Sequence, residues 1–552
     1  MKHGQVSTIY HTGADIFTDV GDIRAVRYHS LYAHLPEHTN LVPLAYADDG
    51  EENGRVLMAL KHATKPFWAV QYHPESVCSE RGGVELIQNF WKLSLDWART
   101  ARRSVSPWTP AAEASLGSSW PSLRPPCSPS TLTPSTPVIT RSLTASRIDI
   151  PRICEALGVE DDSLDFVMLD SPAAPGRFSI IGCLRPTSPR ITFSVGDSTV
   201  RLQRGPEVTN IPLDSADIWT WLSAFMGTRR AHGGIPDIPF WGGLVGYLSY
   251  ELGAETLSSL PPRPDTRHPD VNLVFVERSI VVDAHSGSTY VQSILPTDQA
   301  WLDEMLSQLQ ALNSLSTEPS FETPLKTTPV RKDPSVPVVT LPERNSYISK
   351  VVSAKEWLFS GDSYELCVTA PTRVVAPKAP STIARGTASS WALYKLLRSR
   401  NPAPHSGYLR LRPSTLLSSS PERFLSYARP PDGVCQLRPI KGTVRKVPSI
   451  TREVAEEMLS GSKKEVAENL MIVDLIRHDL HGVVGEDVEV KQFCTVEEYE
   501  TVWQLVSVIE GRPDASMQGR TGLDLGWDVL KNSLPPGAYL LLLLCQLQPL
   551  TP

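Results

Sequence analysis

The sequence predicts an α/β segment followed by a larger α+β segment, and three observations carry that prediction. A β-type run at Trp68-Ala69-Val70-Gln71-Tyr72 leads into an amphipathic helix from about Gly83 to Leu95. A Ser/Pro/Thr-rich stretch from about Ser104 to Pro137 then interrupts the chain with a composition that cannot build a packed core. From about Ile148 onward strands and helices mix. The clearest helix there runs from Lys463 to Leu480, where Val466, Leu470, Val473, Ile476 and Leu480 recur at steps of three or four and form one apolar face.

These signals divide the 552 residues, enough for two or three cores, into a first globular segment at 1–98 and a linker at 99–146. Globular regions are expected at 147–315 and 341–537, separated by a Pro/Thr-rich linker or loop at 316–340. Tyr347 to Phe359 reads as a helix that Gly361-Asp362 stops, and Tyr364 to Val375 as a strand. Trp241-Gly242-Gly243-Leu244-Val245-Gly246-Tyr247 is expected to be a close-packed strand and turn, because it lacks the Lys and the strand-loop-helix pattern of a phosphate cradle. The tail at 538–552 (AYLLLLLCQLQPLTP) has neither period nor turn logic.

Composition narrows the function classes. Hydrophobic residues at 41% and charged residues at 20% are ordinary for a globular chain. A formal net charge of -7 offers no basic field for nucleic acid, so an anionic substrate would need a locally positive or metal-bearing site. The eight cysteines form no CxxC pairs, which argues against a disulfide framework or zinc site and fits a reducing, cytoplasmic setting. The start, Met1-Lys2-His3-Gly4-Gln5, has no signal-peptide run. Leu540 to Leu544 falls well short of the roughly 20 residues that cross a bilayer, so no membrane is expected.

Four constellations could carry chemistry. In Gln71-Tyr72-His73-Pro74-Glu75-Ser76 an imidazole and a carboxylate two residues apart share one side of an extended backbone, so Glu75 could orient His73 as a base. A chance surface pair is the bland alternative. In Ser418-Ser419-Ser420-Pro421-Glu422-Arg423-Phe424, Glu422 could be a positioned acid or merely a surface cap of the next turn. In Pro439-Ile440-Lys441-Gly442-Thr443, a partly desolvated Lys441 could be a nucleophile, with Gly442 admitting a ligand closely; an exposed strand-end lysine is the alternative. Glu465 and Glu468, at i and i+3 beside the helix's apolar face, could hold a hard cation such as Mg²⁺ or could simply be solvated.

The order of His3-Gly4-Gln5, Tyr10-His11-Thr12-Gly13, Arg27-Tyr28-His29-Ser30-Leu31 and Gln71 to Ser76 resembles the class I glutamine amidotransferases over residues 1 to about 95. The resemblance implies that His73 and Glu75 are the catalytic His and Glu, and that Ser30 and Leu31 lie near the glutamine pocket. That family's nucleophilic Cys belongs to a Gly-rich elbow upstream of where this chain begins. Cys78 reads as structural, and the chain as written is expected not to hydrolyse glutamine.

The segments around Glu422, Lys441 and Glu468, with Ile472 to Leu480 and Leu505-Val506-Ser507, resemble the chorismate-utilising enzymes from about residue 165 to Gly537. The expected fold is therefore a partial α/β class I glutamine amidotransferase domain followed by an incomplete α+β chorismate-binding domain like anthranilate synthase component I. Most of that family carries Ala where Lys441 stands; Lys is the mark of the aminodeoxychorismate synthases. The resemblance implies that Lys441 attacks C2 of chorismate and Glu422 protonates the departing C4 hydroxyl. Glu465 and Glu468 would form one side of a Mg²⁺ site. Thr443, Gly442 and Gln504 would contact substrate, Gln504 standing where many relatives have His. Chorismate and glutamine or ammonia are the implied partners, with the fused amidase replacing a separate glutaminase subunit. Anthranilate synthase, and an inactive fragment that only binds, are the alternatives.

Overall fold

The computed structural model describes residues 2–29, 31–101, 135–144, 148–213, 217–254, 268–315, 338–361, 366, 368–375, 390–429, 433–485, 487–513 and 522–534. The expectations for most of the first linker (102–134) and for the tail fall outside these residues.

The first segment is an antiparallel five-stranded sheet in the order Ile23–His29, Lys2–His11, Leu41–Asp48, Arg55–His62, Trp68–Val70. Its core joins Ile9, Phe17, Ile23, Ala25, Met58 and Leu86. Arg27 is fully buried beneath it and donates to both Asp49 oxygens, at 2.6 and 3.0 Å. A buried guanidinium needs such a bidentate partner to offset its desolvation. The helix that follows spans Gly83–Thr100, a turn longer than the sequence pattern shows.

The next region is built on a seven-stranded antiparallel sheet. Its order is Ser414–Ser420, His405–Leu411, Phe166–Asp170, Phe178–Gly182, Arg278–Asp283, Ser288–Ser293, Ile139–Leu143. Two boundaries read from composition therefore shift. Ile139–Leu143 pairs with Ser288–Ser293, and Ser135–Pro137 pairs with Arg230–His232, so sheet structure begins inside the expected 99–146 linker. The interval at 316–340 does not separate two cores either. His405–Leu411, from beyond it, pairs with Phe166–Asp170 from before it. Helices Ile218–Gly227 and Gly522–Asn532 also meet across that interval, with the Trp219 and Trp527 rings 6.4 Å apart.

A second five-stranded sheet runs Glu207–Pro212, Thr199–Arg204, Arg190–Phe193, Val271–Val276, Gly243–Leu248. The glycine-rich segment forms its edge strand, as its pattern predicts. A Cβ on Gly246 would stand 2.0 Å from the Asn272 carbonyl oxygen, so only glycine lets these strands approach.

The last sheet holds Leu425–Tyr427, Cys435–Leu437 and Ile440–Arg445 on one side of Val502–Gly511, and Val488–Glu498 on the other. The long helix lies on it and spans Lys463–Val484. Ser462 caps its start by accepting from Glu465 N–H, and Gly485, at φ +91°, ends it. Leu470, Val473, Ile476 and Leu480 are buried, the last three against Leu437 and Ile509, while Val466 joins a neighbouring cluster with Leu459 and Trp503.

Helix Arg344–Ser360 stops at Gly361 with φ +81°, as expected. Of the strand expected from Tyr364 to Val375, Arg373–Val375 is strand and the described residues 366 and 368–372 are not, while 362–365 and 367 lie outside the described residues. Among the described residues no helix is long and apolar enough to cross a membrane.

Burial pushes the Asp479 carboxyl on the long helix up to about 7. Between the ordinary aspartate range and that value the native state holds a proton that the unfolded chain has lost. Stability therefore falls as pH rises through this window. Relative to the wild type, Asp479→Asn is expected to gain about 2–4 kcal/mol of stability between pH 5 and pH 8.5, a change that thermal melts at the two pH values will read.

Candidate active site

Lys441 lies at the start of Ile440–Arg445, just after Pro439, whose carbonyl accepts from Ser507 N–H at 3.2 Å. The Ile440 N–H donates to Glu422 Oε1 at 3.1 Å, which brings that carboxyl to the residue before Lys441. Glu422 is itself exposed, and this bond is what holds its carboxyl at the strand end. Burial raises its carboxyl above the usual range, against the opposing pulls of the Ile440 N–H and the Lys441 charge. A carboxyl shifted in this direction is better suited to act as an acid.

Gly442 has φ +87°, and a Cβ there would stand 2.9 Å from Glu465 Oε2 and 3.1 Å from Leu459 Cδ2. Glycine is what lets the Glu465 carboxylate press onto the strand between Lys441 and Thr443. One helical turn along, Glu468 shares a cation with it. The Lys464 ammonium lies 3.4 Å from an oxygen of each carboxylate. The pair therefore already balances one positive charge, and its hard oxygen donors suit Mg²⁺. Among the described residues no three His, Cys, Asp or Glu side chains gather as a metal cluster.

Thr443 sits opposite Gln504, whose Nε2 donates to Thr443 Oγ1 at 3.3 Å. Gln504 Oε1 is buried without a protein partner. Asn469 is a neighbour that the sequence reading missed. It is fully buried, and its Oδ1 accepts from Ser507 Oγ. A polar residue among apolar-face positions of the helix was the available signal.

In the first segment, His73 Nδ1 and Glu75 Oε1 are 2.8 Å apart. The pairing is as expected, but its backbone origin is different. Residues 73–76 form a turn around Pro74, with Ser76 N–H donating to the His73 carbonyl at 3.3 Å, rather than an extended strand. Burial works against the charge on Glu75, yet hydrogen bonding by His73 and the Arg477 charge hold its carboxyl below the usual range. Leu31 is 61% exposed, and its carbonyl accepts from His29 Nδ1. Ser30 lies outside the described residues. Burial and the nearby Asp474 charge push the Cys78 thiol up to about 11, the reverse of an activated nucleophile.

This dyad rests on the long helix. Tyr28 OH donates to Asp474 Oδ2 at 2.9 Å, Ser76 Oγ donates to the same oxygen, and Val77 N–H reaches Oδ1 at 3.2 Å. A cavity of about 530 Å³ opens at the seam, lined by Tyr28, His73, Glu75, Asp474, His478 and His481 among others.

Residues 1–93 match the family of class-I glutamine amidotransferases, and residues 183–539 match the chorismate binding enzymes. Over 97% of this chain and 71% of its own length, the putative aminodeoxychorismate synthase of Schizosaccharomyces pombe is 32% identical. The aminodeoxychorismate synthase of Saccharomyces cerevisiae is 32% identical over 98% of this chain and 71% of its own length. That of Streptomyces griseus is 33% identical over 93% and 67%. The chain belongs to the aminodeoxychorismate synthase family. Its fold is that of the family: an amidotransferase segment fused to a chorismate-binding region.

Gly442→Ala is expected to push Glu465 off the strand and to strain the left-handed backbone by about 1–2 kcal/mol. Calorimetric titration of Mg²⁺ in the presence of chorismate should show affinity weakened by about tenfold or more.

Proposed function

We propose that this chain aminates chorismate at C4 to give 4-amino-4-deoxychorismate, with Lys441 and Glu422 as the reacting pair. The observation that carries the reading is the Glu422 carboxyl, bonded to Ile440 N–H and held toward its protonated form beside Lys441. The Lys441 amine attacks C2, the ring double bond shifts, and the C4 hydroxyl leaves with the proton of Glu422. Ammonia then adds at C4, the double bonds shift back, and the bond between Lys441 and C2 breaks. Pyruvate is retained throughout, which distinguishes the product from anthranilate.

Thr443 and Gln504 border this strand, and the buried Gln504 Oε1 is an acceptor that a substrate hydroxyl can use. When bound at Glu465 and Glu468, Mg²⁺ supplies positive charge to a chorismate carboxylate. His73 and Glu75 form the base and orienter of a glutaminase. Burial and the Asp474 charge push the Cys78 thiol up, the reverse of what that pair's nucleophile needs, and free ammonium supplies the nitrogen directly in an assay. We place the reaction in the cytoplasm, in keeping with the free thiols at Cys78, Cys154, Cys183, Cys435 and Cys494.

The test is incubation of the purified chain with chorismate, Mg²⁺ and ammonium, followed by an aminodeoxychorismate lyase. 4-Aminobenzoate is expected; anthranilate, or no amination, overturns the reading. Lys441→Ala and Glu422→Gln should each lower the rate by about 10²–10⁴. Because the acid must be protonated, the wild-type rate should decline as pH rises through the raised Glu422 value. That limb should vanish in Glu422→Gln.

A further inference from the structure

The two candidate sites meet on one helix, and the meeting is close at two points. Gly4, at φ +62°, lies so near the long helix that a Cβ there would stand 2.6 Å from the Ala467 carbonyl oxygen. Ala467 falls between Glu465 and Glu468. Two turns on, about 10 Å along the axis, Asp474 receives the donors of the first segment.

Those donors bracket the His73–Glu75 dyad. Ser76 and Val77 directly follow Glu75, and the Tyr28 ring stands edge-on to His73 with centroids 5.0 Å apart. On the helix side, Arg477 Nη1 lies 3.3 Å from Asp474 Oδ1 and 3.4 Å from the Glu75 carbonyl oxygen. An ionised carboxylate has about four acceptor positions. Here Tyr28, Ser76, Val77 and Arg477 each donate to it. An ordinary i,i+3 pair with Arg477 would need none of the other three, which come from the far end of the chain. A rise or rotation of the helix by about an ångström would strain all of these bonds together.

We propose that Asp474 is a positioning residue for the His73–Glu75 dyad, through which the long helix carries the state of the Glu465–Glu468 pair to that dyad. The proposal takes the roles of His73 and of the carboxylate pair from the function proposed above. Cation binding at Glu465 and Glu468 acts on the turn that Gly4 touches, and Asp474 is fixed to the same rigid rod. The coupling is reciprocal, as linkage requires.

The experiment uses the full chain with ¹⁵N-labelled histidine, the His73 ring signal being assigned by its loss in His73→Gln. Without added metal, Asp474→Asn is expected to alter the hydrogen-bond signature of the His73 ring. An unchanged signature overturns the positioning role. Mg²⁺ alone is then titrated, with binding followed separately by calorimetry. In the wild type the His73 signal should move as Mg²⁺ binds. In Asp474→Asn, Mg²⁺ should still bind while the signal stays fixed. Tyr28→Phe combined with Ser76→Ala, which keeps the carboxylate and removes two of its donors, should behave in the same way if Asp474→Asn folds poorly. A His73 signal that follows Mg²⁺ equally in these variants and the wild type overturns the coupling. So does a wild-type signal that ignores bound Mg²⁺. Absence of Mg²⁺ binding in the wild type overturns the coupling together with the metal assignment beneath it, and leaves the positioning role to be decided by the metal-free comparison.

Discussion

The rotational setting of the helix Lys463–Val484 is the constraint on which both candidate sites depend. Val473, Ile476 and Leu480 are buried against the last sheet beside Leu437 and Ile509. Burial of each such side chain stabilises by about 1.5–3 kcal/mol, so turning the helix would expose several at once. With 3.6 residues per turn, fixing that face fixes the others. Glu465 then faces Gly442, Asn469 faces Ser507, and Asp474 faces the first segment. The site residues are placed by apolar packing that has no chemical role of its own.

At the strand end, two electrostatic effects oppose each other. Lys441 favours an ionised Glu422, as does the Ile440 N–H, whereas burial favours the neutral acid. Burial is the larger effect. The carboxyl is thereby shifted in the direction an acid needs. The half-enclosed setting that achieves this is made by the turn after Ser414–Ser420 folding back onto Ile440.

Much of this was legible in the sequence, for local reasons. The period of Leu470, Val473, Ile476 and Leu480 shows the helix and its buried face, and Gly361 shows a helix stop. The candidate chemistry around Lys441, Glu422 and the His73–Glu75 pair lies in short contiguous motifs. What was not legible depends on pairing between distant segments. Nothing near His405–Leu411 announces that it will lie beside Phe166–Asp170, so two regions divided by composition turn out to share one sheet. Ile139–Leu143 is hidden because it adjoins a Ser/Pro/Thr-rich stretch, although its own residues suit an edge strand. Asp474 reads as one more charge on a helix flank. Only the arrival of Tyr28, Ser76 and Val77 distinguishes it from a solvated aspartate.

Two glycines far apart in the chain answer the same steric problem. Gly4 and Gly442 both have positive φ, and both lie where a Cβ would collide with the first two turns of the long helix, at Ala467 and Glu465 respectively. L-residues rarely adopt that backbone conformation, so each position needs glycine for conformation as well as for space. The helix start is therefore gripped from two sides, by a strand of the amidotransferase segment and by the strand that bears Lys441. A turn gripped in this way cannot move toward one strand without leaving the other. The carboxylate pair carried on that turn thus has its position set jointly by both halves of the fused chain, which gives fusion of the two a structural consequence beyond keeping them close together.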